Sequence, residues 1–183
     1  MKKITLLTLV LWSYSLFAFA GSENFYTGVG YSSWDWDGSS LSTFDGHLGY
    51  SYKENRSFEA RFGLGVAGDE EIIAISLEDD LIYKPKINYI GLYWKPEYKV
   101  EDFSIYGLVG LVYIQDEGTI ESNNEAVTAL VNAGIDEEES LGTKLSFGFG
   151  ADYLVYNNMS INMELRTLAI NITGFAAGFS YKY

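Results

Sequence analysis

Ser57-Phe58-Glu59-Ala60-Arg61-Phe62-Gly63-Leu64-Gly65-Val66 alternates bulky apolar residues with small or charged ones. Successive side chains of an extended strand point to opposite sides, so Phe58, Ala60, Phe62, Leu64 and Val66 share one face. Glu59, Arg61, Gly63 and Gly65 share the other. The same two-faced pattern returns with Met159, Ile161, Met163 and Leu165 against Ser160, Asn162, Glu164 and Arg166. It returns again with Phe175, Ala177, Phe179, Tyr181 and Tyr183 against Gly174, Ala176, Gly178, Ser180 and Lys182.

Working outward from these stretches, period-two alternation bounded by Gly, Asn, Asp and Ser recurs along the chain, while helical periodicity is scarce. Eight strands are predicted at about 24–33, 42–53, 57–67, 82–98, 103–115, 141–154, 158–168 and 173–183. An even number suits a closed antiparallel barrel whose first and last strands meet. Alternation alone does not say which face points outward. Side-chain volume does: eight strands enclose only enough room for side chains to fill, and four or five large apolar residues per strand would overfill it. The Gly, Ser and Ala face therefore belongs inside, and the bulky face requires an apolar solvent, which is lipid. The fold class expected is all-β, an eight-stranded antiparallel transmembrane β-barrel.

Aromatic placement agrees with this orientation. Of 15 Tyr and 4 Trp, many fall near strand ends, among them Tyr26, Tyr31, Tyr52, Tyr83, Tyr93, Trp94, Tyr98, Tyr153, Tyr181 and Tyr183. Amphipathic rings favour the membrane interface. The connections at 53–56, 99–102 and 155–157 are short, whereas 34–41, 68–81 and 116–140 are expected to be long loops and 168–172 a brief one. Short turns on one side and long loops on the other is the outer-membrane arrangement.

The chain begins with Lys2 and Lys3, an apolar run from Ile4 to Phe17, and Ala18-Phe19-Ala20 before polar Gly21-Ser22. That order is a secretory signal, with cleavage expected after Ala20. The run is short for a membrane-spanning helix, which needs about 20 apolar residues. Residues 1–20 are thus expected to be a cleaved signal peptide, exported through the general secretory pathway of a Gram-negative cell, and 21–183 one barrel domain.

There is no cysteine, so disulfides and thiolate metal sites are excluded. Removing Lys2 and Lys3 from the 12 basic residues leaves ten against 25 acidic ones, a net charge of −15. Nucleic-acid binding, which requires a basic patch, is disfavoured.

On the inward face the alternation places Asp45, His47, Glu59, Arg61, Lys144, Asp152, Glu164, Arg166 and Lys182. Four acids stand against four permanently charged bases. Ions removed from water are tolerable only when paired, so this set is read as an internal ion-pair network that plugs the barrel. The alternative is a small porin-like channel lined by the same charges. His47 is the sole histidine. Catalysis would need a nucleophile and an orienting acid within reach, and Gly49 stands two residues on, where membrane lipid A deacylases carry Ser; His47 is read as a hydrogen-bonding lumen residue. No metal, cofactor or catalytic residue is expected.

Acids cluster in the expected outer loops: Asp35 and Asp37; Asp69, Glu70, Glu71, Glu78, Asp79 and Asp80; Glu137, Glu138 and Glu139. They read as solvated surface, with weak cation bridging to lipopolysaccharide phosphates or contact with another surface as the functional option. Trp34-Asp35-Trp36-Asp37-Gly38 lacks most calcium-loop ligands. Apolar residues between Glu125 and Ile135 suggest a short helix.

Several stretches resemble the small OmpA/OmpX-type outer-membrane barrel family: Tyr89-Ile90-Gly91-Leu92-Tyr93-Trp94-Lys95-Pro96-Glu97-Tyr98, Ser104-Ile105-Tyr106-Gly107-Leu108-Val109-Gly110, Phe147-Gly148-Phe149-Gly150-Ala151-Asp152-Tyr153 and Ala177-Gly178-Phe179-Ser180-Tyr181-Lys182-Tyr183. The resemblance implies a bacterial outer-membrane location and a non-enzymatic barrel. It also implies that Phe179, Tyr181 and Tyr183 form a C-terminal signal read by the barrel assembly machinery, with Tyr183 where the family usually has Phe. Larger relatives add a peptidoglycan-binding domain, which is not implied here. The expected role is structural or surface-interacting, through the acidic loops, for a monomer among outer-membrane lipid and lipopolysaccharide.

Overall fold

The computed structural model describes residues 24–68, 71–74, 80–116, 119–122 and 139–183. The expected signal peptide and the expected helix within 125–135 lie outside the described residues. The strands are β1 (Phe25–Trp36), β2 (Ser39–Lys53), β3 (Arg56–Gly68), β4 (Glu71–Ala74), β5 (Asp80–Lys84), β6 (Ile87–Val100), β7 (Phe103–Asp116), β8 (Thr119–Ser122), β9 (Glu139–Tyr156), β10 (Met159–Ala169) and β11 (Ile172–Lys182). Eight of them close an antiparallel barrel in the order β1-β11-β10-β9-β7-β6-β3-β2, and β4-β5-β8 form a separate three-stranded sheet. Closure comes from β1 pairing with β11, Tyr26 opposite Lys182 through Trp36 opposite Ile172. Every barrel edge is thereby satisfied, the condition for a sheet in lipid.

The pleat falls as the alternation requires. Phe58, Phe62, Leu64 and Val66 of β3, Met163 and Leu165 of β10, and Phe175 and Phe179 of β11 are exposed on the outer surface, while Glu59, Arg61, Glu164 and Arg166 are buried inside. On this outer face Gly46 of β2 leaves room for the ring of Phe62 on the neighbouring strand, which lies 2.3 Å from where a Cβ would stand.

Three expectations change. The expected long loop at 34–41 is a two-residue hairpin turn: β1 runs through Trp36 and β2 starts at Ser39. Asp37 and Gly38 both take positive φ, 52° and 96°, the geometry in which a two-residue turn follows the twist of its strands, and Asp-Gly is a preferred pair for it. The expected fourth strand, 82–98, divides at Pro85-Lys86 into β5 and β6, because Pro85 has no N–H for a ladder. Residues 80–84 instead pair with β4 and β8. The expected loops 68–81 and 116–140 therefore carry regular structure of their own. Short turns at 54–55, 101–102 and 157–158 mark the opposite end. We call the two ends of the barrel the loop end and the turn end.

The interior is layered. Toward the loop end Trp34, Leu41, Ile87, Tyr89, Val112, Ile114, Leu168, Ala169 and Ile172 pack into an apolar cluster, with Trp36 and Leu141 against it. Below it, Tyr93, Tyr106 and Leu108 form a second cluster. The interior is thus less dominated by small residues than volume alone suggested: glycines make space for rings. A Cβ on Gly63 would stand 2.0 Å from Tyr89, and one on Gly49 2.0 Å from Tyr26.

Candidate functional site

β3 and β10 each carry an acid two residues before an arginine on the inward face, Glu59 and Arg61 on one, Glu164 and Arg166 on the other. These strands stand four places apart around the eight-membered ring. Their side chains meet across the bore. Arg61 donates from Nη1 to Glu164 Oε2 at 2.6 Å and from Nη2 to Oε1 at 2.8 Å, a two-pronged pair whose fixed geometry suits a planar guanidinium.

The pair is the centre of a longer chain of charges. Arg61 also donates from Nε to Glu59 Oε2 at 2.5 Å. Lys95 Nζ of β6 lies 3.3 Å from Glu59 Oε1 and 3.2 Å from Asp152 Oδ2 of β9. In the other direction Arg166 lies 3.8 Å from Glu164 and donates to Asp45 Oδ2 at 3.1 Å. The order is Asp45, Arg166, Glu164, Arg61, Glu59, Lys95, Asp152, with each base between two acids.

Tyrosine and other hydroxyl groups bond to three of the four acids, Asp45, Glu59 and Glu164. Tyr26 donates to Glu59 at 2.6 Å and Tyr106 to Glu164 at 2.7 Å. Thr43 donates to Asp45 Oδ1 at 2.7 Å, Ser32 donates to Asp45 Oδ2, and Trp34 Nε1 donates to Thr43 at 2.9 Å. Arg166 donates to the Tyr89 hydroxyl at 2.7 Å. Rings also line the cations: Lys95 Nζ is 3.8 Å from the Tyr106 ring centre, and Arg166 packs over Trp34. Desolvated ions held this way keep most of their partners without water.

Of the nine lumen residues expected from sequence, Asp45, Glu59, Arg61, Asp152, Glu164 and Arg166 are brought into this chain. His47 stands beside it, hydrogen-bonded to Ser180 at 3.1 Å and edge-on to Tyr26. Lys144 and Lys182 do not join. Both are exposed and, among the described residues, hold no ion pair, because their strand positions, opposite Val112 and Tyr26, bring them near the rims where water reaches. Lys95 takes a place in the chain that alternation does not reveal. Its strand is bulky on both faces, with Ile87, Tyr89 and Tyr93 inward and Ile90, Leu92 and Trp94 outward, so alternation there carries no direction. Register supplies it: Glu59 stands opposite Tyr93, which puts Lys95 inward two residues later.

Tyr26 and Tyr93, expected at the membrane interface, point into the lumen instead, where Tyr93 is fully buried and bonded to Ser146 at 2.8 Å. Tyr31, Tyr52, Trp94, Tyr98, Tyr153 and Tyr181 are exposed on the outer surface, and Trp94 Nε1 donates to the Tyr52 hydroxyl. The side chain of Tyr83 lies outside the described residues. Phe179 and Tyr181 face outward on β11, and Tyr183 is half-buried against Tyr181.

A closed antiparallel barrel with an apolar exterior, aromatic rings on it and ions sequestered within is an integral outer-membrane β-barrel. A family model described as "Outer membrane protein beta-barrel domain" matches residues 4–183, and the chain belongs to that family. It sits in the bacterial outer membrane, which it crosses with strands. Solved structures share the fold at low identity. The N-terminal β-barrel domain of Pseudomonas aeruginosa OprF is 12% identical, with 87% of this chain and 98% of that one covered and a TM-score of 0.56. P. aeruginosa OprG is 14% identical, with 87% and 96% covered and a TM-score of 0.55. Ail of Yersinia pestis, solved with the heparin analogue sucrose octasulfate, is 15% identical, with 88% and 100% covered and a TM-score of 0.52. No curated protein sequence matches the chain.

Proposed function

We propose that this protein is a non-enzymatic component of the outer membrane whose lumen is plugged and whose role is structural or surface-interacting. The observation that carries this reading is the Arg61–Glu164 pair, which crosses the bore within a chain of charges. A solute moving through would have to separate buried ions, leaving each charge unpaired in a medium of low dielectric. The apolar cluster around Trp34 and Ile114 stands above it as a second barrier.

With transport closed off, the loop end is the working surface. It carries the β4-β5-β8 sheet, and the sequence between β3 and β6 and between β7 and β9 contains Asp69, Glu70, Glu71, Glu78, Asp79, Asp80, Glu137 and Glu138, with Glu139 opening β9. Short turns are periplasmic and long loops external in such barrels, which assigns the loop end to the outside. A monomer among lipid and lipopolysaccharide, inserted by the barrel assembly machinery through Phe179, Tyr181 and Tyr183, completes the reading.

A second reading, a small porin-like channel, is favoured by a cavity that enters from the turn end as far as Lys95 and Asp152. Recordings in planar bilayers separate the two. Purified protein is expected to give no steady conductance; regular steps whose size changes in Glu59→Gln or Arg166→Gln would establish the channel and end the plug reading.

A further inference from the structure

The chain of lumen ions has an acid at each end. Asp45, Glu59, Asp152 and Glu164 alternate with Arg61, Lys95 and Arg166, four carboxylates against three bases. His47, bonded to Ser180, makes no ion pair with these acids among the described residues. One negative charge is left over.

The two ends are finished differently. Asp45 receives Thr43 and Ser32 in addition to Arg166, beneath the apolar cluster. Asp152 receives only Lys95, on Oδ2, and its Oδ1 is buried with no hydrogen-bond partner among the described residues. Asp152 also lines a cavity of about 280 Å³ that reaches the turns at Glu101-Asp102 and Asn157-Asn158. At its mouth Lys99 is paired with Glu97 at 3.4 Å, which leaves Lys182 against Glu101 and Asp102. The cavity's charged lining is therefore four acids, Glu97, Glu101, Asp102 and Asp152, against three bases, Lys95, Lys99 and Lys182, a net single negative charge.

We propose that this cavity binds a small monovalent cation beside Asp152, an alkali ion or a primary ammonium group. A compact single charge balances the chain, whereas divalent ions take several oxygen ligands and no group of three or more such side chains is assembled among the described residues. Serine hydroxyls of Ser104 and Ser160 on the cavity wall supply neutral oxygens for the same ion. The proposal goes beyond the closed-lumen reading and does not depend on it, since the cavity opens to the periplasmic side alone or to a channel equally well.

The test is carbon NMR of the folded protein in lipid nanodiscs, labelled at aspartate carboxyl carbons, with the Asp152 signal assigned by Asp152→Asn. Potassium or methylammonium chloride is exchanged for N-methylglucamine chloride at constant ionic strength. A saturable shift of the ionised Asp152 carboxyl signal is expected with at least one of the two small cations, and which one responds identifies the class. Independently, that cation is expected to raise the unfolding midpoint of the wild type and not of Asp152→Asn, whose folding is checked by heat-dependent gel mobility. A linear drift common to all three salts, or a carboxyl signal at the protonated position throughout, overturns the proposal. So does saturation seen in Lys182→Ala but not in the wild type, which would make the Lys182 ammonium the missing charge.

Discussion

Arg61 and Glu164 are separated by 103 positions in sequence and by half the circumference of the barrel, yet form a two-pronged ion pair at 2.6 and 2.8 Å. Opposite walls of the cylinder are thereby tied together through the centre. Removing Arg61 takes away the base that Glu59 and Glu164 share, leaving Glu59 to Lys95 and Glu164 to the more distant Arg166. Arg61→Met is expected to lower stability by about 3–5 kcal/mol, read from urea unfolding out of lipid vesicles. The double variant Arg61→Met/Glu164→Leu should lose less than the sum of its singles by more than about 1 kcal/mol; strict additivity would show that the pair is not coupled.

The lipid face makes an opposite demand. Leu92 is 70% exposed on β6 between inward Gly91 and Tyr93. Leu92→Arg places a charge in hydrocarbon and is expected to cost about 2–4 kcal/mol in the same assay. Lys144→Ala and Lys182→Ala, at exposed rim positions, should stay within about 0.5 kcal/mol of the wild type. A large loss for either lysine would place it in the ion chain after all.

Trp34 joins both layers, packing in the apolar cluster, donating to Thr43 and lying under Arg166. Trp34→Ala should cost about 3–5 kcal/mol through the cavity it leaves. Trp34→Phe keeps the packing and drops the hydrogen bond to Thr43. A loss well under half that of Trp34→Ala is expected, and an equal loss would make the hydrogen bond the dominant contribution.

Tyr26 reaches Glu59 only because Gly49 has no side chain to obstruct its ring. Gly49→Ala should therefore displace the ring and cost about 1–3 kcal/mol. Made in a Tyr26→Ala background, the same change should cost much less, because the obstruction has gone. Equal costs in both backgrounds would assign the effect to the strand itself.

The sequence was most informative where one face of a strand is small. β3 and β10 set Gly, Ser and ions against Phe, Leu and Met, so the inward face, and with it Glu59, Arg61, Glu164 and Arg166, was readable before the fold was known. β6 has large residues on both faces, and Lys95, Tyr89 and Tyr93 could be placed only through pairing with β3. Alternation also reports the face of a residue but not its depth, so it places Lys144 and Lys182 with ions they do not reach. Asp37-Gly38 is itself a hairpin signal, and both residues take the positive φ that such a turn requires; read by charge alone, the same stretch passes for an acidic loop.

The apolar cluster under the loop end gives this membrane protein two kinds of interior. Through the bilayer the molecule is inverted, oily outside and ionic within, and relies on lipid as its solvent. Where the barrel meets the loop end, Trp34, Leu41, Ile87 and Ile172 turn inward and the order reverts to that of a water-soluble domain. The hydrophobic effect there acts against water and does not depend on the surrounding membrane. The loop end thus rests on a foundation that owes little to the thickness and composition of the lipid beside it.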